Sequence, residues 1–361
     1  MATLREKICQ MIMIGLKGEE LASEELRLLK DFPFGGVILF THNLKAPKQI
    51  LSLCRSLWKR KKTLPPFIAI DQEGGRVHRL PAPFTHFPPM ALLGETRNTD
   101  LAYKMGLATA RELTAVGINL NFAPVLDVHS NPKNPVIGDR SLGPEPEEVA
   151  RLGWAIIKGL RDGGVIPCAK HFPGHGDTNK DSHVELPVVE KELARLKEVE
   201  LLPFIHACRN QVEAVMTAHV LYPALDPRYP ATLSRSIIAK LLRKEIQYEG
   251  VVLGDDMEMR AISSNYTMEE AVALSVKAGA DMLLFCHQTE SALQACEFLL
   301  RQAEKDAEIK ARVEESYQRI KRLKERYLKS FTGVGEDLLT EHIGITSHQK
   351  LAEEIIKAGE H

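Results

Sequence analysis

The feature of the sequence that most restricts its fold is a regular alternation of short apolar runs with longer amphipathic stretches. This order is typical of a parallel sheet whose strands are joined by helices. Eight strands with helical crossovers favour an α/β fold that closes into a (β/α)8 TIM-type barrel, although periodicity alone leaves an open doubly wound sheet as an alternative. The predicted strands are residues 10–16, 35–40, 67–71, 119–128, 164–171, 213–220, 250–256 and 280–286.

Helical patterns occupy the connecting and C-terminal segments. We predict helices over 191–208 and 267–280, and a long helix after the last strand, where apolar residues recur every three or four positions. Its apolar stripe consists of Ile309, Val313, Tyr317, Ile320 and Tyr327. Because no flexible linker or fixed repeat interrupts the pattern, we predict one domain over 1–361, with the barrel at about 8–330 and a C-terminal helical tail at 331–361.

The charge and cysteine content exclude several classes of partner and compartment. The 361 residues include 47 basic and 48 acidic ones without long blocks, which argues against nucleic acid or an anionic membrane surface as a partner. The six cysteines form no CxxC pair and are expected to be free thiols in a reducing compartment. The N-terminal run ICQMIMIGL lacks a signal-peptide cleavage site and is predicted to be a strand. No segment reaches the roughly 20 apolar residues that cross a bilayer.

Polar residues cluster where the predicted strands end. DQEGGR follows the third strand, LDV the fourth, KHFPGHG the fifth, TAHV the sixth and GDDMEM the seventh. In a barrel, the carboxyl ends of the strands converge on one face, so these five segments are expected to surround one pocket. His219, at the end of TAHV, is expected either to line this pocket or to be a structural histidine.

Two adjacent carboxylates, Asp255 and Asp256, end a strand that is otherwise apolar. A carboxylate at the mouth of a barrel is well placed to act as a nucleophile or to stabilise a cation. We expect one of the two to be functional and the other to be structural, capping a helix or pairing with a lysine.

The segment 170–183, KHFPGHGDTNKDSH, concentrates histidines and carboxylates between glycines. Asp181 and His183 lie two residues apart, and in an extended segment such residues project to the same side. The carboxylate of Asp181 can then hold one imidazole nitrogen while the other faces a substrate. Such a pair is a competent general acid/base near neutral pH.

A metal site is the main alternative for this segment, with His171, His175 and His183 as ligands. The spacing matches neither HExxH nor paired CxxC motifs, and Lys170 within the same cluster disfavours a bound cation. We therefore expect neither a metal ion nor an organic cofactor. The sequence also contains no GxGxxG motif and no P-loop.

A third group of residues is suited to binding a polar ligand. Arg79, Arg140 and Lys170 can donate hydrogen bonds to sugar hydroxyls and an acetamido oxygen, and Asp71 can accept from a pair of hydroxyls. The alternative is a ring of ion pairs that stiffens the barrel mouth. For Arg76 we favour that structural role, because DQEGGR is typical of a tight turn that bridges two loops.

Segments through most of the chain resemble those of the family 3 glycoside hydrolases, in particular the single-domain β-N-acetylglucosaminidases of that family. The resemblance runs from about residue 8 to residue 285. KHFPGHG followed by the triplet DSH is the most specific match, because it separates this branch from the β-glucosidases and β-xylosidases, which take their acid/base from a second domain. The other matching segments are GGVILFTHN, IAIDQEGGRVHRL, NFAPVLDV, IGDRSLG, AVMTAHVLYPALDP and GVVLGDDMEM.

The resemblance implies a role for each matching position. Asp255 corresponds to the nucleophile, and His183, assisted by Asp181, corresponds to the acid/base of a retaining mechanism. The implied sugar-binding residues are Asp71, Arg79, Arg140, Lys170 and His171. The chain departs from the family where Gly254 replaces a frequent serine before the nucleophile, and we expect no loss of chemistry from that change.

The resemblance also implies a substrate and a location. We expect a monomeric, cytoplasmic exo-β-N-acetylglucosaminidase that acts on small peptidoglycan fragments, with chitin fragments and glycolipid sugars as further possibilities. Because a histidine acid/base is not anionic, phosphate could replace water as the acceptor, which would make the chain a phosphorylase. The alternatives from other classes of protein are a metal-dependent hydrolase and a sugar-binding barrel without catalytic activity.

Overall fold

Eight parallel strands form a closed barrel in chain order in the computed structural model, which describes residues 2–60 and 64–360. The barrel closes through the first and last strands, where Ile12 lies opposite Leu283. This closure confirms the predicted (β/α)8 barrel and excludes the open sheet. The strands are β1 (Ile12–Gly15), β2 (Gly36–Leu39), β3 (Phe67–Ile70), β4 (Leu120–Asn121), β5 (Ile166–Phe172), β6 (Ala214–Thr217), β7 (Val251–Asp256) and β8 (Met282–Phe285).

Helices cover the outside of the barrel, and the strands are buried along nearly their whole length. Burial on both faces explains why the strands are continuous apolar runs rather than alternating ones. A segment of π-helix spans Ser236–Glu245, and 3₁₀ turns span Thr41–Asn43, Gly138–Arg140, Ala231–Leu233 and Glu336–Glu341. The α-helices are α1 (Leu4–Gln10), α2 (Ser23–Asp31), α3 (Pro47–Trp58), α4 (Met90–Glu95), α5 (Thr99–Ala115), α6 (Pro146–Asp162), α7 (Leu193–Glu198), α8 (Leu202–Arg209), α9 (Arg260–Ser263), α10 (Met268–Ala278), α11 (Thr289–Lys305), α12 (Ala307–Tyr327) and α13 (Thr346–Gly359).

All eight predicted strands are shorter in the structure, and two of them differ for an identifiable reason. The prediction of a single strand over the N-terminal apolar run was wrong, because the first part of the run belongs to α1. This helix begins with a capping box between Thr3 and Glu6. The fourth strand is regular only over β4, and Pro124 follows soon after it. Proline has no N–H to donate to a sheet ladder, so the chain continues irregularly towards Asp127.

The helix predicted over 191–208 is also wrong as one element, because the chain forms the separate helices α7 and α8. Pro203 occupies the first turn of α8, where its missing N–H costs nothing, whereas in the interior of a longer helix its ring would clash with the preceding turn. Between the two helices, Glu200 turns inward and is almost fully buried. The helix predicted over 267–280 is confirmed as α10.

The long C-terminal helix is confirmed as α12, with four of its five stripe residues buried. The tail that follows contains a 3₁₀ turn and the amphipathic helix α13, which contacts α4 and α5. There His348 Nδ1 lies 2.8 Å from a carboxylate oxygen of Glu112, and both side chains are buried. Within the described residues, no helix is long and apolar enough to cross a membrane. All six cysteines are buried, and none of them forms a disulfide bond.

Candidate active site

A cavity of about 520 Å³ lies at the carboxyl ends of the strands. Loops that are distant in sequence form its wall, as the convergence of strand ends in a barrel requires. A second cavity of about 460 Å³ opens between α8 and α12, beside the amino ends of β6 and β7, and contains none of the predicted site residues. The first cavity is lined by all eight of them, namely Asp71, Arg79, Arg140, Lys170, His171, Asp181, His183 and Asp255.

A buried glutamate that the sequence analysis did not single out organises the floor of this cavity. Glu73 accepts two hydrogen bonds of 2.8 Å from Arg140 and lies 2.6 Å from Lys170 Nζ. Burial alone would raise the pKa of Glu73, but the charges of Arg140 and Lys170 hold it well below its usual range. Lys170 also donates to Asp71 Oδ1 at 2.6 Å. The network fixes both cations and leaves some of their N–H groups for a ligand.

Arg79 has an unused donor inside the cavity. Its side-chain Nε is buried without a hydrogen-bond partner among the described residues, while its backbone N–H donates to Gln72 Oε1. Buried polar groups are rarely left unsatisfied, so this Nε stands out as a donor that the described residues leave unused. Arg76 behaves differently. It bonds Asp139 and the backbone carbonyls of Val136 and Ile137, which agrees with the structural role expected for it.

A second residue missed by the sequence analysis, Asp127, supports the cavity wall from behind. It is fully buried and accepts hydrogen bonds from the backbone N–H groups of His171 and His175. Its second oxygen lies 2.7 Å from His171 Nδ1. The position at the end of an apolar strand, within LDV, was the available signal for this residue.

Asp255 and Asp256 lie in different electrostatic environments. Burial would raise the pKa of Asp255, but His219, His171 and Lys170 around it and the N–H of Asp256 lower it below its ordinary value. Asp256 instead accepts hydrogen bonds from the backbone of Glu258 and Cys286, and burial raises its pKa to about 6. Asp255 is thus the more acidic carboxylate of the pair.

The glycine before this pair, Gly254, lies in a confined space. A Cβ at that position would lie 3.0 Å from the methyl carbon of Thr232. A side chain there would need Thr232 to move slightly, so the departure from the family pattern is accommodated by the local packing.

Asp181 and His183 are paired as predicted, but for a different backbone reason. Asp181 Oδ1 lies 2.8 Å from His183 Nδ1 and also accepts the backbone N–H of His183. The segment is therefore a turn closed by the aspartate side chain rather than an extended strand. The His183 side chain is 66% exposed, and its Nε2 has no partner among the described residues. Hydrogen bonds from His183 outweigh partial burial and lower the pKa of Asp181.

Two other histidines near the cavity, His175 and His219, use their ring nitrogens for hydrogen bonds within the protein. His175 is buried, with Nδ1 at 2.8 Å from Thr178 Oγ1 and Nε2 at 3.1 Å from Ser182 Oγ. His219 is bonded through both nitrogens, to Thr232 Oγ1 and the carbonyl of Asp256, so it has the structural role. In the part of the chain that the structure describes, no group of three His, Cys, Asp or Glu side chains is arranged to hold a metal ion.

The fold and the cavity together define a barrel enzyme with a polar active site, because polar donors and a carboxylate of lowered pKa converge where a TIM barrel carries its chemistry. The chain belongs to glycosyl hydrolase family 3, whose N-terminal domain matches residues 3–323.

Similar proteins point to the same activity. A β-hexosaminidase of Thiobacillus denitrificans is 39% identical over 78% of this chain and 79% of its own. A family 3 β-N-acetylglucosaminidase from Paenibacillus superposes with a TM-score of 0.94 at 40% identity, over 99% of this chain and 69% of its own. NagZ from Neisseria gonorrhoeae superposes with a TM-score of 0.78 at 30% identity, over 97% and 98% of the two chains. The protein is accordingly a glycoside hydrolase acting as a β-N-acetylhexosaminidase.

Proposed function

We propose that the chain is a retaining exo-β-N-acetylglucosaminidase in which Asp255 is the nucleophile and His183, assisted by Asp181, is the acid/base. The observation that carries the proposal is that one cavity contains an ionised carboxylate and an imidazole whose Nδ1 is already bonded to a carboxylate. Two such groups, one to attack and one to exchange a proton, are what retaining hydrolysis needs.

In the first step, Asp255 attacks the anomeric carbon as the bond to the leaving oxygen breaks. The imidazolium of His183 gives its Nε2 proton to that oxygen, and the Asp181 carboxylate holds the ring in place. In the second step, neutral His183 removes a proton from water, which attacks the same carbon and releases Asp255. Two displacements at one carbon retain the β configuration.

The proposed binding residues hold the sugar so that its anomeric carbon lies next to Asp255 and its leaving oxygen next to His183. Asp71, Lys170 and Arg140 offer paired acceptors and donors for hydroxyls, and the unused Nε of Arg79 offers a donor for a hydroxyl or acetamido oxygen. His171 Nε2 adds a further polar atom. A rigid set of this kind raises the effective concentration of the nucleophile near the anomeric carbon.

The test of the nucleophile is covalent trapping with a 5-fluoro N-acetylglucosaminyl substrate, which keeps the 2-acetamido group. We expect mass spectrometry to find the adduct on the peptide that contains Asp255, and Asp255→Asn to leave no adduct. An adduct on Asp256, or none on the wild type under conditions of turnover, contradicts the assignment.

The test of the acid/base uses His183→Ala with two leaving groups. Acid catalysis contributes about 10²–10⁴-fold where the leaving group needs a proton, so an alkyl glycoside should suffer far more than a nitrophenyl glycoside. Equal losses for both contradict the role. Activity on 4-nitrophenyl N-acetyl-β-glucosaminide but not the β-glucoside, unchanged by a chelator, supports the substrate class and opposes a metal-dependent reaction.

We infer that the natural substrate is a small peptidoglycan fragment, N-acetylglucosamine joined to an anhydro-muramic acid peptide, cleaved in the cytoplasm. Such an aglycone carries carboxylates, and Arg260 at the cavity wall makes no ion pair among the described residues. A higher kcat/KM for this fragment than for chitobiose, reduced by Arg260→Ala, supports the inference. Equal values contradict it.

Phosphate is a second candidate acceptor. The proposed acid/base is an imidazole, which does not repel an anion, and Arg79, Arg140 and Lys170 make the cavity rich in positive charge. Attack of a phosphate oxygen on the glycosyl-enzyme would release Asp255 and form the sugar 1-phosphate. Detection of that product with a phosphate-dependent rate identifies a phosphorylase, and free sugar alone identifies a hydrolase.

A further inference from the structure

The residue between Asp181 and His183 is buried, unlike its two neighbours. Ser182 is only 3% exposed, and its Oγ lies 3.1 Å from Nε2 of buried His175. Its carbonyl oxygen accepts the backbone N–H of Ala261 at 3.2 Å. Both polar groups therefore bind the barrel while the flanking acidic and imidazole side chains face the cavity.

His175 is a fixed anchor for this contact. Its backbone N–H donates to Asp127 Oδ1 at 2.7 Å, its carbonyl accepts from Asn134 Nδ2 at 2.8 Å, and its Nδ1 bonds Thr178. Burial and the nearby His171 lower the pKa of His175 to about 4, so the ring is neutral at neutral pH. Either neutral tautomer can bond a hydroxyl group, which donates or accepts as needed.

The second anchor connects the two halves of the proposed catalytic machinery. Ala261 lies in α9, the short helix that follows β7 and therefore Asp255. The hydrogen bond from Ala261 to Ser182 links the segment with the acid/base to the segment that follows the nucleophile. A movement of one relative to the other would break this bond.

The stretch 179–186 has little else to hold it in place. Among the described residues, the two hydrogen bonds of Ser182 are the only ones that this stretch makes with the rest of the chain. Its other bonds are internal, including an exposed ion pair between Lys180 and Glu185. Exposed ion pairs contribute little to order. The position of His183 therefore depends on the contacts of Ser182.

We propose that Ser182 is a positioning residue that holds the imidazole of His183 over the glycosidic oxygen, an inference that rests on the proposed acid/base role of His183. Proton transfer requires the imidazole nitrogen within hydrogen-bond reach of the leaving oxygen, and small displacements of a catalytic group are costly. Ser182 acts through backbone position and contributes no atom to the reaction.

The test compares Ser182→Ala with the wild type on a methyl and a 4-nitrophenyl N-acetyl-β-glucosaminide. The kcat/KM reports the first displacement, in which only the methyl leaving group depends on an acid. We expect kcat/KM to fall about tenfold or more for the methyl glycoside and to stay within about threefold for the nitrophenyl glycoside. Losses that are equal for both substrates, or no loss, overturn the proposal.

Two further variants control this experiment. Lys180→Ala removes the exposed ion pair of the same stretch and should leave both substrates unchanged. Thr178→Val keeps the side-chain shape but removes the hydroxyl that holds His175, and should repeat the selective loss more weakly. If circular dichroism shows that Ser182→Ala does not fold, Thr178→Val becomes the deciding variant. Equal losses for the two substrates in Thr178→Val then overturn the proposal.

The proposal and the acid/base assignment can fail separately. If His183→Ala shows no dependence on the leaving group, the proposed function fails and the inference fails with it. If His183→Ala shows that dependence and Ser182→Ala behaves like the wild type, only the positioning role is overturned.

Discussion

Asp127 lies 2.7 Å from Nδ1 of His171, and both side chains are buried behind the cavity wall. The carboxylate sets the tautomer of the ring, because its ionised oxygen can only accept a hydrogen bond. Nδ1 of His171 therefore carries the proton that it donates to Asp127. The other nitrogen, Nε2, has no partner among the described residues, on a ring that lines the cavity. Burial would raise the pKa of Asp127, and the two histidines that bond it lower it instead.

Replacing Asp127 with asparagine tests the importance of this tautomer. The amide can keep the two backbone N–H groups on its oxygen, but its NH₂ then faces His171 Nδ1 and forces the proton onto Nε2. A hydrogen bond to a charged group is worth about 1.5–3 kcal/mol, so we expect kcat/KM to fall about ten- to a hundredfold. Asp139→Asn, at an exposed ion pair, is the control. Unchanged kinetics in Asp127→Asn would show that the tautomer is unimportant.

Arg79→Ala is expected to weaken sugar binding while leaving the fold intact. The buried Nε has no hydrogen-bond partner to lose among the residues that the structure describes, so the unfolding free energy should change little. The lost donor should raise the Kd for N-acetylglucosamine about tenfold or more, measured by isothermal titration calorimetry. Arg301→Ala, which removes an exposed arginine, should leave this Kd unchanged. A large loss of stability without a change in Kd would assign Arg79 a structural role.

Asp256 predicts a pH dependence of stability. Its pKa is raised from 3.8 to about 6 by burial, so between these values the folded state holds a proton that the unfolded state has released. The contribution of Asp256 to stability is therefore present below pH 4 and is lost as pH rises through 6, by about 3 kcal/mol at most. We expect the unfolding free energy of the wild type, relative to Asp256→Asn, to be lower at pH 8 than at pH 5. The measurement is urea unfolding of both proteins at the two pH values. The same difference in unfolding free energy at pH 5 and at pH 8 would refute the prediction.

Lys324, at the other end of the barrel, predicts the opposite pH dependence, a free energy of unfolding that rises with pH. It is fully buried, donates to Gln10 Oε1 and the carbonyl of Gly35, and burial lowers its pKa well below 10.5. In the window below 10.5, the unfolded state binds the proton that the folded state lacks, so stability rises with pH. Relative to Lys324→Met, the wild type should gain stability between pH 7 and pH 9, by up to about 1.4 kcal/mol per unit. Lys310→Met, exposed on the same helix, should show no such gain.

Local sequence was sufficient for the strands and the long helices. Short, uniformly apolar runs such as GVILF and MLLF favour buried strands, and the spacing of Ile309, Val313 and Ile320 favours a helix. The errors occurred where one residue overrides a pattern. Pro203 divides a helical stretch that is otherwise continuous, and Pro124 ends β4 early.

The site residues were predictable in part because chemistry at a barrel mouth follows strand ends. Asp255, Lys170 and Asp71 are polar residues at the ends of apolar strands, and each lines the cavity. Glu73 and Asp127 were missed because their importance comes from their partners. A glutamate in a glycine-rich turn and an aspartate after an irregular strand are ordinary until Arg140 and His171 are brought against them.

The sequence by itself determined the alternation of strands and helices, the strand ends that carry the polar residues and the pairing of Asp181 with His183, because these depend on periodicity and on neighbours in the chain. Tertiary structure alone decided that the sheet closes into a barrel, which of Asp255 and Asp256 is the more acidic, which histidines are committed to the protein, and how Ser182 anchors the segment around His183. Those properties depend on burial and on contacts between residues far apart in sequence. Local pattern contains no record of such contacts, because electrostatic and hydrogen-bond energies are set by distance in space.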